Sequence, residues 1–388
     1  GEYEERYLQL PPELQITVIK KHQRYFAVTD AGGSLLPYFV TVANTIPRDP
    51  ELVAAGNARV VRARLEDARF YYVEDQKVRL DERAEELKQV VFHSKLGTSW
   101  EKVGRFTALA RWLGEQLAPE SLDTLLRAAF LCKADLETGM VGEFPELQGI
   151  MGRAYARLEG EPEAVAEAIF EHYLPVRAGG PIPQNIEGAL LSIADKMDTI
   201  VGCFGVGLIP TGTADPFALR RQTLGIIRII LEKPFHISLS ALIDRALPLL
   251  QSHMTEPAQT VKEGVLDFFE GRLQHWLVNQ EGYSPDAVDA CLAVGMDDLV
   301  DAVARTKALA TFKNRPDFES LATAFKRVVN IIKQPETTPV NPELLSGSAE
   351  QGLYKALQDT DAVVAGCISQ SDYDAALDVY LRFVVDEA

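Results

Sequence analysis

Lys133-Ala134-Asp135-Leu136-Glu137-Thr138, Glu143-Phe144-Pro145-Glu146-Leu147-Gln148-Gly149, Glu171-His172-Tyr173, Ile193-Ala194-Asp195-Lys196-Met197-Asp198 and Asp215-Pro216-Phe217-Ala218-Leu219-Arg220-Arg221 follow one another in the stretch 133–221 that decides the fold. Apolar residues recur there at helical spacing, and Gly97, Pro119, Pro145, Pro162, Pro175 and Pro210 punctuate the pattern. The spacing predicts helices over 84–94, 99–117, 120–135, 146–158, 162–173, 184–206 and 215–231, which assemble as a bundle. Asp215-Pro216 has the chemistry of a helix start, with Asp as N-cap and Pro at the first helical position. Arg220 and Arg221 follow on that helix, either solvated or paired with Glu143 and Glu146. Gly205-Val206-Gly207 and Thr211-Gly212-Thr213 do not make a nucleotide loop, because no strand precedes them and no Gly-Lys-Ser/Thr closes them.

Asp135, His172 and Asp195, the last in an Ala-Asp-Lys segment, resemble the ligand positions of HD domains, helical metal-dependent phosphohydrolases. In such bundles inward-facing His and Asp side chains hold a divalent metal, so the resemblance makes these three the candidate metal ligands. The chain departs from that family twice. Ala134-Asp135 stands where the family has adjacent His-Asp, and the helix that should carry an earlier His reads Arg105-Phe106-Thr107-Ala108-Leu109-Ala110-Arg111. With two imidazoles missing, the expectation is an HD-like scaffold without hydrolase activity.

A length of 388 residues makes two to four domains the prior, and 47% hydrophobic residues suffice for packed cores. The formal charge of −17 argues against indiscriminate adhesion to polyanions but leaves room for local basic faces. Cys132, Cys203, Cys291 and Cys367 are widely spaced and contain no Cys-x-x-Cys pair, which points to free thiols in a reducing cytosol rather than a zinc site or disulfide framework. The longest apolar passage, 199–210, falls short of a membrane span. The expectation is a soluble cytoplasmic protein. A first residue Gly1 and an uncapped helical pattern at the end suggest a fragment of something longer.

Residues 1–90 read as a small α+β domain. Leu14 to Ile19, Tyr25 to Thr29 and Tyr38 to Val42 carry strand patterns, with a hairpin turn at Asp30-Ala31-Gly32-Gly33-Ser34. A helix over 51–72 carries Arg59, Arg62 and Arg69 beside Glu66 and Asp67, which is either a salt-bridged face or a phosphate-contacting one. His22-Gln23-Arg24-Tyr25-Phe26 combines a guanidinium with aromatic rings, a combination that grips and stacks on nucleic acid. Further helices are expected over 261–278, 298–312, 318–332, 342–359 and 373–385, with an irregular loop at 335–342. Phe312-Lys313-Asn314-Arg315-Pro316 and Ala324 to Lys333 concentrate basic charge on two of them, so this patch is either a solvated face or a nucleic-acid contact.

Glu143 to Gly152, Gly205-Val206-Gly207-Leu208-Ile209-Pro210-Thr211-Gly212 and Asp215 to Arg221, in that order, closely resemble the β subunit of bacterial-type heterotetrameric glycyl-tRNA synthetase. Lys21 to Phe26, Asn57 to Phe70 and the helices around 324–332 extend the resemblance over nearly the whole chain. It implies a mainly α chain: the α+β domain at 1–90, an HD-like helical bundle at 91–235, a helical linker at 236–300, and an incomplete anticodon-binding-like helical domain at 301–388. It also implies a tRNA-binding subunit of an α2β2 enzyme that attaches glycine to tRNA(Gly). ATP and Mg2+ then belong to the α subunit, with no cofactor and no catalytic residue in this chain, and neither membrane nor DNA is a partner. The tRNA-binding candidates are Lys313, Arg315, Phe325, Lys326, Arg327 and Lys333, with Arg24, Arg59 and Arg62 from the first domain. Two other classes compete, an HD-type phosphohydrolase and a non-catalytic helical adaptor. No Ser-His-Asp, Cys-His or paired-carboxylate constellation can be assembled from the sequence.

Overall fold

Apolar residues at 3.6-residue spacing dominate the chain, and the computed structural model is accordingly mainly helical, with two small two-stranded sheets among the described residues. It describes residues 1–316, 318–331 and 340–387, apart from the side chains of 320, 321, 325, 328, 329, 331 and 385–387. Two units pack separately: Gly1–Ile229 with Leu242–Val265, and Ile230–Ala241 with Leu266–Ala388. Among the described residues no helix is long and apolar enough to cross a membrane.

The chain begins with helices α1 (Pro12–Ile16), α2 (Pro50–Asp75), α3 (Leu80–Glu86), α4 (Ser99–Leu117), α5 (Leu122–Leu131) and α6 (Gly139–Glu143). It continues through α7 (Ile150–Leu158), α8 (Glu163–Glu171), α9 (Ile186–Gly205), α10 (Leu219–Glu232), α11 (Leu239–Leu250) and α12 (Ala258–Asn279). In the first unit α9 is the axis of the packing: every residue from Glu187 to Gly205 is buried, against α4, α5 and α8. A helix buried on all sides presents no solvated stripe, and even its charged residues Glu187, Asp195, Lys196 and Asp198 are buried and must find partners inside. Leu190, Leu191, Ile193, Met197, Ile200 and Val201 are fully enclosed, each contributing about 1.5–3 kcal/mol of transfer free energy. Close approach depends on Gly188, where an added Cβ would lie 2.6 Å from the Glu171 Cβ. The start of α4 is fixed by a capping box: Thr98 Oγ1 accepts from the Glu101 amide at 3.2 Å, and the Glu101 carboxylate accepts from the Thr98 amide at 2.6 Å.

Strand β1 (Phe26–Thr29) pairs antiparallel with β2 (Leu35–Val40), Phe26 opposite Val40, around a turn in which Asp30 Oδ1 accepts from the Gly32 and Ser34 amides. A second pair, β3 (Val91–His93) with β4 (Gly97–Thr98), leads into α4. The strand expected at 14–19 is instead helical, α1 followed by a π-type turn over Thr17–His22. Pro12 starts the helix, and burial of Leu14, Val18 and Ile19 on one face overrides their β-branched preference. The helix expected over 84–94 ends at Glu86, and Val91 to His93 pair as β3.

Two helix starts fall later than expected. α7 begins at Ile150 rather than near 146, because Gly149 turns the chain at φ +78. α10 begins at Leu219 because Ala218 takes φ +53; Asp215 still caps it, accepting from the Leu219 amide at 2.7 Å and the Arg220 amide at 3.0 Å.

The second unit contains α13 (Pro285–Leu292), α14 (Leu299–Lys313), α15 (Phe318–Ile331), α16 (Ser348–Ser369) and α17 (Tyr373–Glu387), with α17 packed against α14, α15 and α16. Asp298 caps α14 through the Val300 and Asp301 amides. Phe312 and Leu381 form a small core covered by Phe318, Leu377 and Val384. The helix expected over 342–359 is a 3-10 turn at Pro342–Leu344 followed by the longer α16. Most of the expected loop at 335–342 lies outside the described residues.

Candidate functional site

A cleft of about 380 Å3 opens in the first unit beside α9. His172 and Asp195 line it, but Asp135 does not. Asp135 sits at the end of the Lys133-Ala134 turn, where its Oδ2 accepts from the Gly149 amide at 2.5 Å and the Gly152 amide at 3.0 Å, at the start of α7. It therefore serves as a buried cap for that helix, whose N-terminus leaves such N–H groups without partners inside the helix. Burial lifts the Asp135 carboxyl to about 6, against the pull of those two amides.

Asp195 is enclosed by cations. Lys133 Nζ lies 2.8 Å from Oδ2, and Lys102 Nζ lies 2.8 Å from Oδ1. Lys102 also reaches Asp198 Oδ2 at 3.1 Å and Thr199 Oγ1 at 2.7 Å, while Arg105 forks onto Asp198 through Nε at 2.6 Å and Nη2 at 3.3 Å. Burial alone would raise the Asp195 carboxyl, but Lys102 and Lys133 outweigh it and hold it well below its ordinary range. Lys196 donates to the His172 and Leu174 carbonyls and to Ser192 Oγ. Burial draws its ammonium down to about 7, opposed by Asp195 and aided by Lys133, Lys102 and Arg221.

His172 is fully buried with Nδ1 2.6 Å from the Ile169 carbonyl, so Nδ1 carries the proton and Nε2 presents a lone pair. That Nε2 has no hydrogen-bond partner and lies 4.0 Å from Asp195 Oδ2. Burial first, and Lys133 next, keep this imidazole neutral, well below its ordinary pKa.

These residues do not fit a divalent metal. Such an ion needs lone pairs turned to one point. Here ammonium groups occupy both oxygens of Asp195, and Asp135 is turned to the α7 amides. Among the described residues no group of three or more His, Cys, Asp or Glu side chains is placed to hold a metal.

The sequence candidates for tRNA contact divide by their partners. Arg62 pairs with Glu4 at 3.0 Å and Arg69 with Glu66 at 3.1 Å, so this part of the α2 face is salt-bridged. Arg24 and Arg59 are exposed without an ion-pair partner among the described residues. His22 is paired with Glu146, and Glu143 with Arg64, so neither acid is available to the Arg220-Arg221 pair. In the second unit Lys313 pairs with Asp286 and Arg315 with Asp378. Phe312, at the head of the first basic stretch, is 2% exposed and belongs to the core. Lys326 and Arg327 are exposed on α15. The Phe325 side chain and Lys333 lie outside the described residues.

Sequence inspection missed Lys102, Lys133 and Lys196. For Lys102 a signal existed: it continues the buried stripe of Phe106, Leu109 and Leu113 on α4, a position where a lysine must have an internal partner.

A family model described as "Glycyl-tRNA synthetase beta subunit" matches residues 1–293. A glycine–tRNA ligase beta subunit from Trichlorobacter lovleyi is 53% identical over 390 residues, covering 100% of this chain and 56% of the relative. The corresponding Geobacter sulfurreducens protein is 55% identical, covering 97% of this chain and 55% of the relative. The Syntrophus aciditrophicus protein is 51% identical, covering 97% and 54%. The chain thus spans about half the length of the curated relatives it matches.

Proposed function

Because the chain belongs to the family of glycyl-tRNA synthetase β subunits, we propose that it is the tRNA-binding portion of such a subunit, required for ATP-dependent attachment of glycine to tRNA(Gly). The observation that carries this is identity above one-half along the whole chain to proteins named as that ligase subunit. Its partner is the α subunit of an α2β2 enzyme, which holds the aminoacylation site with ATP and Mg2+. The protein works in the cytoplasm and has no membrane or DNA partner. Residues 301–388, within the second unit, are the anticodon-binding region, and Lys326 and Arg327, exposed on α15, meet tRNA phosphates there.

The test uses the full-length β chain with its α subunit. Lys326→Ala with Arg327→Ala is expected to weaken tRNA binding and to flatten log affinity against log salt by about 0.7 per lost single-strand phosphate contact, while glycine activation without tRNA is unchanged. An unaltered affinity and slope would place the contact on another face. Failure of the complete β chain to support glycylation by α would overturn the assignment as a whole.

A further inference from the structure

The cleft beside Asp195 has the wrong charge for a cation and the right one for an anion. Lys102, Lys133, Lys196 and Arg221 line it against a single carboxylate, Asp195. The protons of Lys102 and Lys196 are committed to protein oxygens. Lys133 is not saturated: it gives one hydrogen bond to Asp195 and lies 4.0 Å over the Tyr173 ring, leaving N–H groups to offer. Arg221 is exposed and has no ion-pair partner among the described residues. Three polar atoms on the same wall are buried without a hydrogen-bond partner: His172 Nε2, Tyr173 Oη and Asp195 Oδ1, the last held by Lys102 as an ion pair at 2.8 Å. A buried polar atom left without a hydrogen bond loses its hydration uncompensated, a loss that a ligand carrying both donors and acceptors would recover. Phe92, Pro175, Val176 and Phe217 supply apolar surface beside these groups.

We propose that this cleft binds a phosphate group borne by a small organic moiety, in its simplest form a nucleoside monophosphate. Lys133 and Arg221 hold the phosphate oxygens, His172 Nε2 accepts from a ligand hydroxyl or N–H, and the organic part lies against Phe92 and Phe217. The volume, about 380 Å3, equals roughly a dozen waters at ~30 Å3 each, enough for a mononucleotide and too little for an RNA duplex. The ligand is either a free nucleotide or the terminal nucleotide of an RNA, since both present the same phosphate. This inference is independent of the tRNA reading: the α15 variants test one and the cleft variants the other.

The experiment is calorimetric titration of the full-length β chain alone, so that no nucleotide site of the α subunit contributes, with AMP, adenosine and inorganic phosphate at low salt. Saturable binding of one AMP per chain is expected, tenfold or more tighter than adenosine, with inorganic phosphate competing. Arg221→Glu, at an exposed position that leaves the core intact, and Lys133→Gln, which keeps a donor for Asp195, are each expected to weaken AMP binding at least tenfold. Thermal melting confirms that both variants are folded. Displacement of AMP by saturating tRNA identifies an RNA end as the source, and its absence a free nucleotide. No AMP binding, equal binding of AMP and adenosine, or binding unchanged in both variants would overturn the proposal.

Discussion

Asp198→Asn removes the charge that two buried cations share. Asp198 is 2% exposed, and it faces Arg105 at 2.6 Å and 3.3 Å and Lys102 at 3.1 Å, both nearly as enclosed. Lys102 retains Asp195, but Arg105 loses its carboxylate partner and keeps neutral acceptors, the Leu96 carbonyl at 3.2 Å among them. Removing one partner of a buried pair costs about 3–5 kcal/mol, because the remaining charge stays desolvated and uncompensated. Asn preserves volume and one acceptor, which places the loss at the low end, about 3 kcal/mol. At ~2–4 °C per kcal/mol for a unit of this size, the melting temperature should fall by roughly 6–12 °C. Differential scanning calorimetry of the full-length β chain reads this shift against Arg64→Ala, which removes a half-exposed pair with Glu143 and should cost about 0–1 kcal/mol. The apolar double variant Arg105→Met with Asp198→Leu should recover more than half of the loss, since it removes both members of the pair and leaves neither charge uncompensated. A single-variant loss below ~1 kcal/mol, or a double variant less stable than Asp198→Asn, would refute the view that this network is held by charge compensation.

Asp135 titrates against stability in a definite direction. Its folded carboxyl at about 6 binds a proton more tightly than the ordinary 3.8 of the unfolded chain, so its contribution is full below 3.8 and is lost as pH rises through 6. Urea midpoints of wild type and Asp135→Asn, whose amide oxygen still accepts from Gly149 and Gly152, should therefore shift in the variant's favour as pH rises from about 3.8 to about 6; a constant difference would contradict this. Gly149→Ala should destabilise by about 2 kcal/mol or more, since the residue sits at φ +78 and its new Cβ would lie 2.5 Å from Tyr173 Cδ2. Gly160→Ala, at φ +82 with nothing within 4 Å, should cost only the backbone part, about 1 kcal/mol, and equal losses for the two would remove the steric account.

The helices that could be read from sequence are those whose signals are local. α4 carries Thr98 and Glu101 at capping-box spacing, and α9 combines small and apolar residues, interrupted by the charges of Asp195, Lys196 and Asp198, with the punctuation of Pro181 and Pro183 just before it. Both were legible to within about two residues, the ordinary uncertainty of a helix end. The misplaced elements depend on partners distant in sequence. Leu14 to Ile19 has a strand's composition, and only the burial of Leu14, Val18 and Ile19 together selects the helix. The start of α7 is set by a carboxylate fourteen residues upstream of Gly149, a relation that no window of local propensity contains.

The candidate site was legible in its acids and illegible in its charge. Asp195 and His172 stand in the sequence as residue types that bind metal, and packing does bring both to one cleft. What decides the chemistry is the counter-charge, and that comes from elsewhere: Lys102 from α4, and Lys133 from just beyond α5. Two ammonium groups, each at 2.8 Å, lie against the two oxygens that a divalent ion would need, so the acid is placed to pair with lysine rather than with a metal. Lys102, Lys133 and Lys196 outnumber Asp195 on the cleft lining, and with the exposed Arg221 they suit the cavity to phosphate rather than to a cation.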